Sequence, residues 1–231
     1  MLDDQVKRAM LKWPQVPSVY GWLRLSRRGQ WFLIDRGQPG FDPARDGEGS
    51  PITSPPIIDF IGRNYECDRR GAWYWQNGPQ RAFVRIGIAP LILRVLNEPP
   101  RQLLVTHTGF VVERIDRVLG DADGNLLMNT NLGPAAVDDR DIGQLQLTAA
   151  EPTADGNDAM LLVLERYPAP AAAGWRIEVC NASGAAALGA ELGFVADPAP
   201  EAAQEAAQEA AQVGAQEAAR KPADDRDPPA A

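Results

Sequence analysis

The stretch Tyr65-Glu-Cys-Asp-Arg-Arg-Gly-Ala-Trp-Tyr-Trp75 decides the predicted fold class, because it has the pattern of a β-hairpin. Two runs rich in strand-forming residues flank a turn that ends at Gly71, and glycine supplies the positive φ that tight turns require. Residues 19–34 have the same pattern, with a turn that ends at Gly29. Because strands joined by short turns pair in opposite directions, the sequence predicts antiparallel β-hairpins.

The two hairpins are similar to each other in sequence. The run Arg27-Arg28-Gly29-x-Trp31 and the run Arg69-Arg70-Gly71-x-Trp73 match at an offset of 42 residues. Each hairpin follows a short predicted helix, over residues 4–11 in the first case and 54–64 in the second. We therefore predict a duplicated helix–hairpin element.

The remaining pattern adds more strands than helices. Further strands are predicted over residues 81–86, 91–96, 103–108, 125–128, 160–165 and 175–180, a strand or helix over 111–118, and a short helix over 185–192. Strands follow one another over short turns instead of alternating with helices, which favours an α+β fold of antiparallel β-hairpins with short helices. We predict three parts: a duplicated helix–hairpin part (1–100), a β-rich part (101–197), and a low-complexity Ala/Glu/Gln tail (198–231) that is disordered or helical.

Composition excludes several classes of protein. The 231 residues carry a net charge of −8, divided into +5 over residues 1–101 and −13 over 102–231. There is no apolar run of about 18 residues and no signal-peptide pattern, so we expect a cytoplasmic protein that does not bind membranes. Two cysteines and one histidine exclude a disulfide scaffold and any site that needs two histidines. No phosphate-binding or dinucleotide glycine motif is found, and no cofactor is predicted.

Several short motifs carry a resemblance to a known class. These are residues 13–14, 19–22, 27–31, 50–52, 67–74, 77–81, 89–90, 133–134 and 138–141, which include Trp13-Pro14, Cys67-Asp-Arg-Arg-Gly-Ala-Trp-Tyr74 and Asn77-Gly-Pro-Gln-Arg81. The chain resembles uncharacterised bacterial domain-of-unknown-function proteins over about residues 12–145. The resemblance implies a glycine-turn hairpin with an aromatic strand, a helix and a second sheet. It implies no activity, cofactor or catalytic residue.

Arginine and aromatic residues in the hairpins form the candidate contact surface. The set contains Arg27, Arg28, Trp31, Arg69, Arg70, Trp73, Tyr74, Trp75, Arg81 and Arg85. We interpret the chain as a non-enzymatic binding or accessory protein whose partner is an unknown protein or a small anionic ligand. One alternative is an enzyme that holds a small anionic substrate with Arg69, Arg70 or Arg81. A second alternative is single-stranded nucleic-acid binding, since arginines beside exposed aromatics hold such strands by stacking and phosphate contacts.

The other polar residues give weaker signals. The aspartate cluster contains weak candidates for metal ligands: Asp138, Asp139 and Asp141. In the alternative of an enzyme with an anionic substrate, one of them would hold a metal ion or a proton. We favour a structural role, with Asp138 or Asp139 as the N-cap of an element that begins near residue 142. Residues 121–125 resemble a calcium loop but are predicted to form a hairpin turn. His107 is predicted to be a structural strand residue, and no catalytic residue is assigned.

Overall fold

The chain folds into two β-sheets with short helices. The computed structural model describes residues 2–98, 101–150, 159–164, 167 and 174–200. Met1–Pro198 form one compact unit, and Ala199–Ala231 form a second unit of which only residues 199 and 200 are described. The mostly β architecture with a few helices agrees with the predicted α+β class. Most of the predicted tail lies outside the described residues.

The first sheet contains six strands in the order β3-β2-β1-β6-β5-β4. These strands are β1 (Val19–Leu25), β2 (Trp31–Leu33), β3 (Ser50–Pro51), β4 (Tyr65–Cys67), β5 (Trp73–Asn77) and β6 (Gln80–Ile86). The two predicted hairpins are the antiparallel pairs β1–β2 and β4–β5. The two halves of the sheet join where β1 pairs with β6 in parallel.

The second sheet contains eight strands in the order β12-β13-β14-β9-β10-β11-β7-β8. These strands are β7 (Leu91–Glu98), β8 (Arg101–Thr106), β9 (Ile115–Gly120), β10 (Leu126–Thr130), β11 (Gly133–Val137), β12 (Gln146–Ala150), β13 (Ala159–Val163) and β14 (Trp175–Val179). Two of its pairings are parallel, β11 with β7 and β14 with β9. The chain passes from the first sheet to the second between β6 and β7. The predicted boundaries of the three parts remain predictions.

In the part of the chain that the structure describes, four short helices accompany the sheets. They are α1 (Asp4–Lys12), α2 (Pro43–Asp46), α3 (Pro55–Arg63) and α4 (Gly184–Leu192). Three of the four agree with the sequence prediction, whereas α2 is a single turn inside a glycine- and proline-rich loop that gave no helical signal. Among the described residues, no helix has both the length and the apolar character needed to cross a membrane.

One continuous hydrophobic core joins the two sheets. It contains Leu23, Leu25 and Trp31 of the first sheet and Ile92, Leu127 and other apolar residues of the second. The opposite face of the first sheet is covered by a smaller cluster around Tyr74 and Phe83. Alternate side chains of a strand point to opposite faces, so Trp73 packs into the large core while Tyr74 packs into the small one.

Within the described residues the same five-residue turn occurs four times, over residues 26–30, 68–72, 106–110 and 121–125. In each turn the first residue's carbonyl accepts from a glycine N–H, and its side-chain oxygen accepts from the fifth residue's N–H at 2.7–3.0 Å. All four glycines have φ between 76° and 87°. In these four segments the turn is built by Ser, Asp or Thr at the first position and Gly at the fourth. The similarity of the two Arg-Arg-Gly runs is thus explained by turn chemistry, and duplication of the whole element stays a prediction.

Residues 193–196 lie against the ends of β5 and β6. Val195 N donates to Gly71 O at 2.9 Å, and Ile86 N donates to Ala196 O at 2.7 Å. A Cβ placed on Gly71 would lie 2.6 Å from Gly193 O, whereas a Cβ placed on Gly124 in the equivalent turn would touch nothing within 4 Å.

Replacing Gly71 with alanine is expected to destabilise the protein more than replacing Gly124 with alanine. Both substitutions force a positive φ on alanine, which costs on the order of 1–3 kcal/mol. Only Gly71→Ala also pushes residues 193–196 away from the sheet. The difference between the two urea midpoints measures that docking, and equal midpoints would mean that the segment contributes nothing to stability.

Candidate functional site

The predicted contact set does not lie on one exposed surface. Trp31 is 2% exposed and Trp73 is 6% exposed, so their ring faces belong to the core. Tyr74 is also buried, and Trp75 is partly buried against Phe60, with their ring centroids 5.9 Å apart. The aromatic half of the set is therefore packing, and the faces of these buried rings offer no stacking platform.

The arginines of the first hairpin turn are engaged with the second sheet. Arg27 Nη2 donates to Asn125 Oδ1 at 2.9 Å, and Arg28 forms a two-point contact with the carboxylate of Asp139 at 2.8 and 3.0 Å. Arg85 Nη2 donates to Gly47 O in the loop that contains α2. These arginines hold parts of the protein to one another.

The arginines of the second hairpin are separated from one another. Arg70 pairs with Asp68 inside its own turn at 3.0 Å, and Arg69 is exposed. Arg81 lies near the opposite end of the sheet, where its guanidinium stacks on Tyr74 at 4.6 Å. Arg81 of β6 pairs with Gln76 of β5, and Gln76 lies three residues along β5 from Trp73. Arg81 is therefore displaced by roughly 10 Å from Trp73 along the strand direction.

Each member of the aspartate cluster is neutralised by its own arginine. Asp138 pairs with Arg140, Asp139 with Arg28, and Asp141 with Arg94. The bonds to Arg140 hold the pKa of Asp138 at about 2. The part of the chain that the structure describes contains no group of three or more His, Cys, Asp or Glu side chains placed to hold a metal.

The predicted capping role of Asp138 or Asp139 is wrong. A 3-10 turn, Ile142–Gln144, begins after Asp141, and even Asp141 makes no side-chain capping bond there. Its carboxylate instead accepts from Val95 N at 3.0 Å on β7. Arg94 of β7 also pairs with Asp141, and a sequence pattern does not reveal a contact between such distant segments.

A cleft opens between the β4–β5 hairpin and the turns of the second sheet. One wall is formed by Tyr65, Glu66, Cys67 and Trp73, and the other by Leu91 with parts of residues 106–110 and 130–134. We call it the inter-sheet cleft. Its volume of about 630 Å³ lies in the range of pockets that bind small molecules.

Two polar atoms in the cleft wall have no partner. Tyr65 Oη and Trp73 Nε1 are buried and make no hydrogen bond within the described residues. The two rings lie with their centroids 4.9 Å apart and their planes tilted by 43°. Burial raises the pKa of Tyr65 well above 10, so the hydroxyl keeps its proton. Buried polar groups in proteins are normally paired with protein atoms or with ordered water, so these two atoms are candidates for contact with a bound molecule.

His107 lies behind the cleft wall. Its Nδ1 accepts from Ile92 N at 3.2 Å, which places the ring proton on Nε2, and Nε2 is buried without a partner in the described chain. Its ring centroid is 5.3 Å from that of Trp31 and 6.1 Å from that of Tyr65. Burial lowers the pKa of His107 from 6.5 to about 3, so the imidazole is neutral at physiological pH.

Cys67 stands in the cleft wall but is a poor nucleophile. The thiol is free, and burial together with the nearby Asp68 raises its pKa from 9 to about 11. The thiolate is the reactive form of cysteine, so little of it exists at neutral pH. The second cysteine, Cys180, is free and buried.

Two other cavities contain polar groups that are already paired. A groove of about 680 Å³ runs along α1 past Leu11 and Trp13, and there Gln76 accepts from Arg81 at 3.3 Å. A smaller cavity of about 340 Å³ is lined by Arg24, Ser26, Arg27, Arg28, Gln30 and Asp139, and each of its arginines has a hydrogen-bond partner. The inter-sheet cleft is therefore the best candidate site.

Comparison with known proteins identifies a family. Residues 2–199 match the family DUF2944, described as protein of unknown function (DUF2946). The chain belongs to this family. The predicted resemblance to a domain of unknown function is thus confirmed, and the family description names no activity.

One solved structure and no curated protein match the chain. A DUF1285 family protein from Silicibacter pomeroyi DSS-3 aligns with a TM-score of 0.42 and 16% identity, over 65% of this chain and 80% of its own. The search of curated proteins finds no match.

Replacing Tyr65 with phenylalanine is expected to leave stability unchanged or to raise it slightly. The hydroxyl that is lost has no partner among the described residues, so its burial only costs free energy. Tyr167→Phe is the matched control, because the buried Tyr167 Oη accepts from Leu104 N at 2.9 Å. Losing that bond is expected to cost about 1–3 kcal/mol. Urea unfolding measures both changes, and a large loss in Tyr65→Phe would show that its hydroxyl serves the fold.

Proposed function

We propose that this protein binds a small molecule in the inter-sheet cleft and acts as a binding or accessory protein. One observation carries the proposal: Tyr65 Oη and Trp73 Nε1 are buried in the wall of an open cleft without partners in the described chain. Burying such an atom without a partner costs free energy. A ligand that accepts from both atoms recovers this free energy when it binds.

The proposal keeps the second hairpin as the binding element. Tyr65, Cys67 and Trp73 belong to β4 and β5, which pair directly. The ligand contacts the polar edges of the aromatic side chains, because the ring faces are buried in the core. The turn arginines stay outside this site, since Arg28 is already paired with Asp139.

The side chains of the cleft support binding better than catalysis. The thiol of Cys67 is protonated at neutral pH because its pKa is raised to about 11. His107 uses Nδ1 to accept from the Ile92 backbone, and its depressed pKa makes it a weak base. A general base works best with a pKa near the working pH, and neither group has one.

The experiment uses Nile red, a neutral dye that fluoresces in apolar surroundings. We expect the full chain to bind the dye with a micromolar dissociation constant. Because Cys67 stands at the cleft and Cys180 is buried, alkylation by N-ethylmaleimide at pH 8.5 reports on Cys67. Saturating dye is expected to slow this alkylation at least threefold.

The groove along α1 provides the control. Leu11 lines that groove and is 83% exposed, so Leu11→Ser weakens the groove without disturbing the core. The variant is expected to bind Nile red as the unchanged protein does. The proposal is refuted if Leu11→Ser abolishes dye binding, because the dye then binds in the groove along α1. It is also refuted if the dye does not change the alkylation rate of Cys67, because the dye then binds outside the cleft.

A further inference from the structure

We infer that the ligand of the inter-sheet cleft is a neutral, ring-containing molecule whose carbonyl oxygens accept hydrogen bonds from Tyr65 and Trp73. This inference rests on the proposed function and adds the chemical class of the ligand. It follows from the hydrogen-bonding character, the charge and the apolar lining of the cleft.

The two unpaired polar atoms of the cleft wall, Tyr65 Oη and Trp73 Nε1, can both donate a hydrogen bond. An indole N–H can only donate, so Trp73 Nε1 requires an acceptor. Asn131 adds a third donor, because its Oδ1 already accepts from Glu113 N at 2.9 Å and from Arg114 N at 3.0 Å. The free end of that side chain is the amide nitrogen. A ligand that satisfies this wall therefore presents acceptor atoms.

The charge of the cleft disfavours an anion. The described lining contains no lysine or arginine, and it contains the carboxylate of Glu66. An anion would enter an apolar site without a counter-charge and beside a like charge, and burying an unpaired charge is costly. A cation would be attracted by Glu66, but it offers no acceptor for Tyr65 Oη and Trp73 Nε1. A neutral acceptor such as a carbonyl oxygen meets neither penalty.

The apolar part of the cleft lining suits the body of a ring-containing ligand. Leu91, Leu132 and Pro134 give the wall apolar surface beside the edges of Tyr65 and Trp73. Gly133 lies so close to the six-membered ring of Trp73 that a Cβ there would be 2.9 Å from it. A side chain at Gly133 would therefore push the two walls apart at this point.

The test compares two naphthalene probes of similar size. PRODAN is neutral and carries one ketone, whereas 1-anilinonaphthalene-8-sulfonate is an anion. We expect PRODAN to bind the full chain at least tenfold more tightly and to slow alkylation of Cys67. Hydrogen bonding to the ketone is expected to shift the emission of bound PRODAN to longer wavelength than in an aprotic solvent of similar polarity.

Two variants test the donors. Tyr65→Phe is expected to weaken PRODAN binding about five- to tenfold, because one donor is lost and the ring is kept. Tyr167→Phe is the control, since it removes a hydroxyl that bonds Leu104 in the core, and its PRODAN affinity should not change. The red shift of bound PRODAN is measured on the unchanged protein and needs no variant.

The outcomes separate this inference from the proposed function. If the sulfonate binds as tightly as PRODAN and also protects Cys67, the cleft binds ligands but the neutral class is wrong. Unchanged PRODAN affinity in Tyr65→Phe together with no red shift overturns the role of the donors, while cleft binding stands. If neither probe slows alkylation of Cys67, both proposals fail.

Discussion

Replacing Asp141 with alanine is expected to lower the free energy of unfolding by about 2–3 kcal/mol. The residue is 3% exposed, and its Oδ2 accepts from Arg94 Nε at 2.6 Å and from Val95 N at 3.0 Å. Alanine leaves the Val95 N–H on β7 without its acceptor. Because Arg94 itself is half exposed, water replaces part of what the guanidinium loses, which keeps the cost below that of a fully buried pair. Urea unfolding followed by tryptophan fluorescence measures the change.

Asp139→Ala is the matched control for this prediction. Asp139 lies two residues away and also pairs with an arginine, Arg28, but both side chains are 53% exposed. Exposed pairs contribute little to stability, so its urea midpoint should stay close to that of the unchanged protein. Equal losses in the two variants would contradict the distinction between a buried structural carboxylate and an exposed one.

The stability of the protein is expected to fall by about 2–3 kcal/mol between pH 6.5 and pH 4.5 because of His107. Burial lowers the pKa of His107 to about 3 in the folded protein, against 6.5 for an exposed histidine. Below pH 6.5 the histidine of the unfolded chain is protonated, whereas His107 of the folded chain stays neutral down to about pH 3. The stability contributed by the neutral imidazole is therefore present above pH 6.5 and is lost as the pH falls.

The single histidine makes this prediction easy to isolate. His107 is the only histidine in the sequence, and the ordinary pKa of aspartate lies below the window. His107→Asn keeps a side-chain acceptor near Ile92 N and removes the titration. Its urea midpoint, although lower at pH 7, should change much less between pH 6.5 and 4.5. A variant that loses as much stability over this range as the unchanged protein would assign the effect to other groups.

Local elements of the fold could be predicted from the sequence, but their partners could not. The turn at residues 68–72 is encoded by Asp68 and Gly71, so the β4–β5 hairpin was predicted with its turn in place. The parallel pairing of β1 with β6 depends on contacts between distant segments, which a pattern of strand-forming residues does not specify. The short strands β3, β11 and β12 were missed, because Pro51 and the Gly133–Val137 run give no strand signal.

The candidate site was predicted in part. Trp73 belongs to the predicted contact set for its ring face, yet in the structure it lines the cleft as a buried residue whose indole N–H has no partner among the described residues. Tyr65 and Asn131 were not selected, and a sequence contains no sign that a buried hydroxyl lacks a partner. The second wall is formed by turns after β8 and β10, and no local signal could place them opposite β4 and β5.

The docking of residues 193–196 onto the first sheet has a consequence for synthesis. The bond from Ile86 N to Ala196 O joins the last strand of that sheet to a segment made after the whole second sheet. While the ribosome is still translating the second sheet, the ends of β5 and β6 have nothing to cover them. Contacts between such distant segments slow folding, so the nascent chain passes through a period in which its unburied surface is open to chaperones.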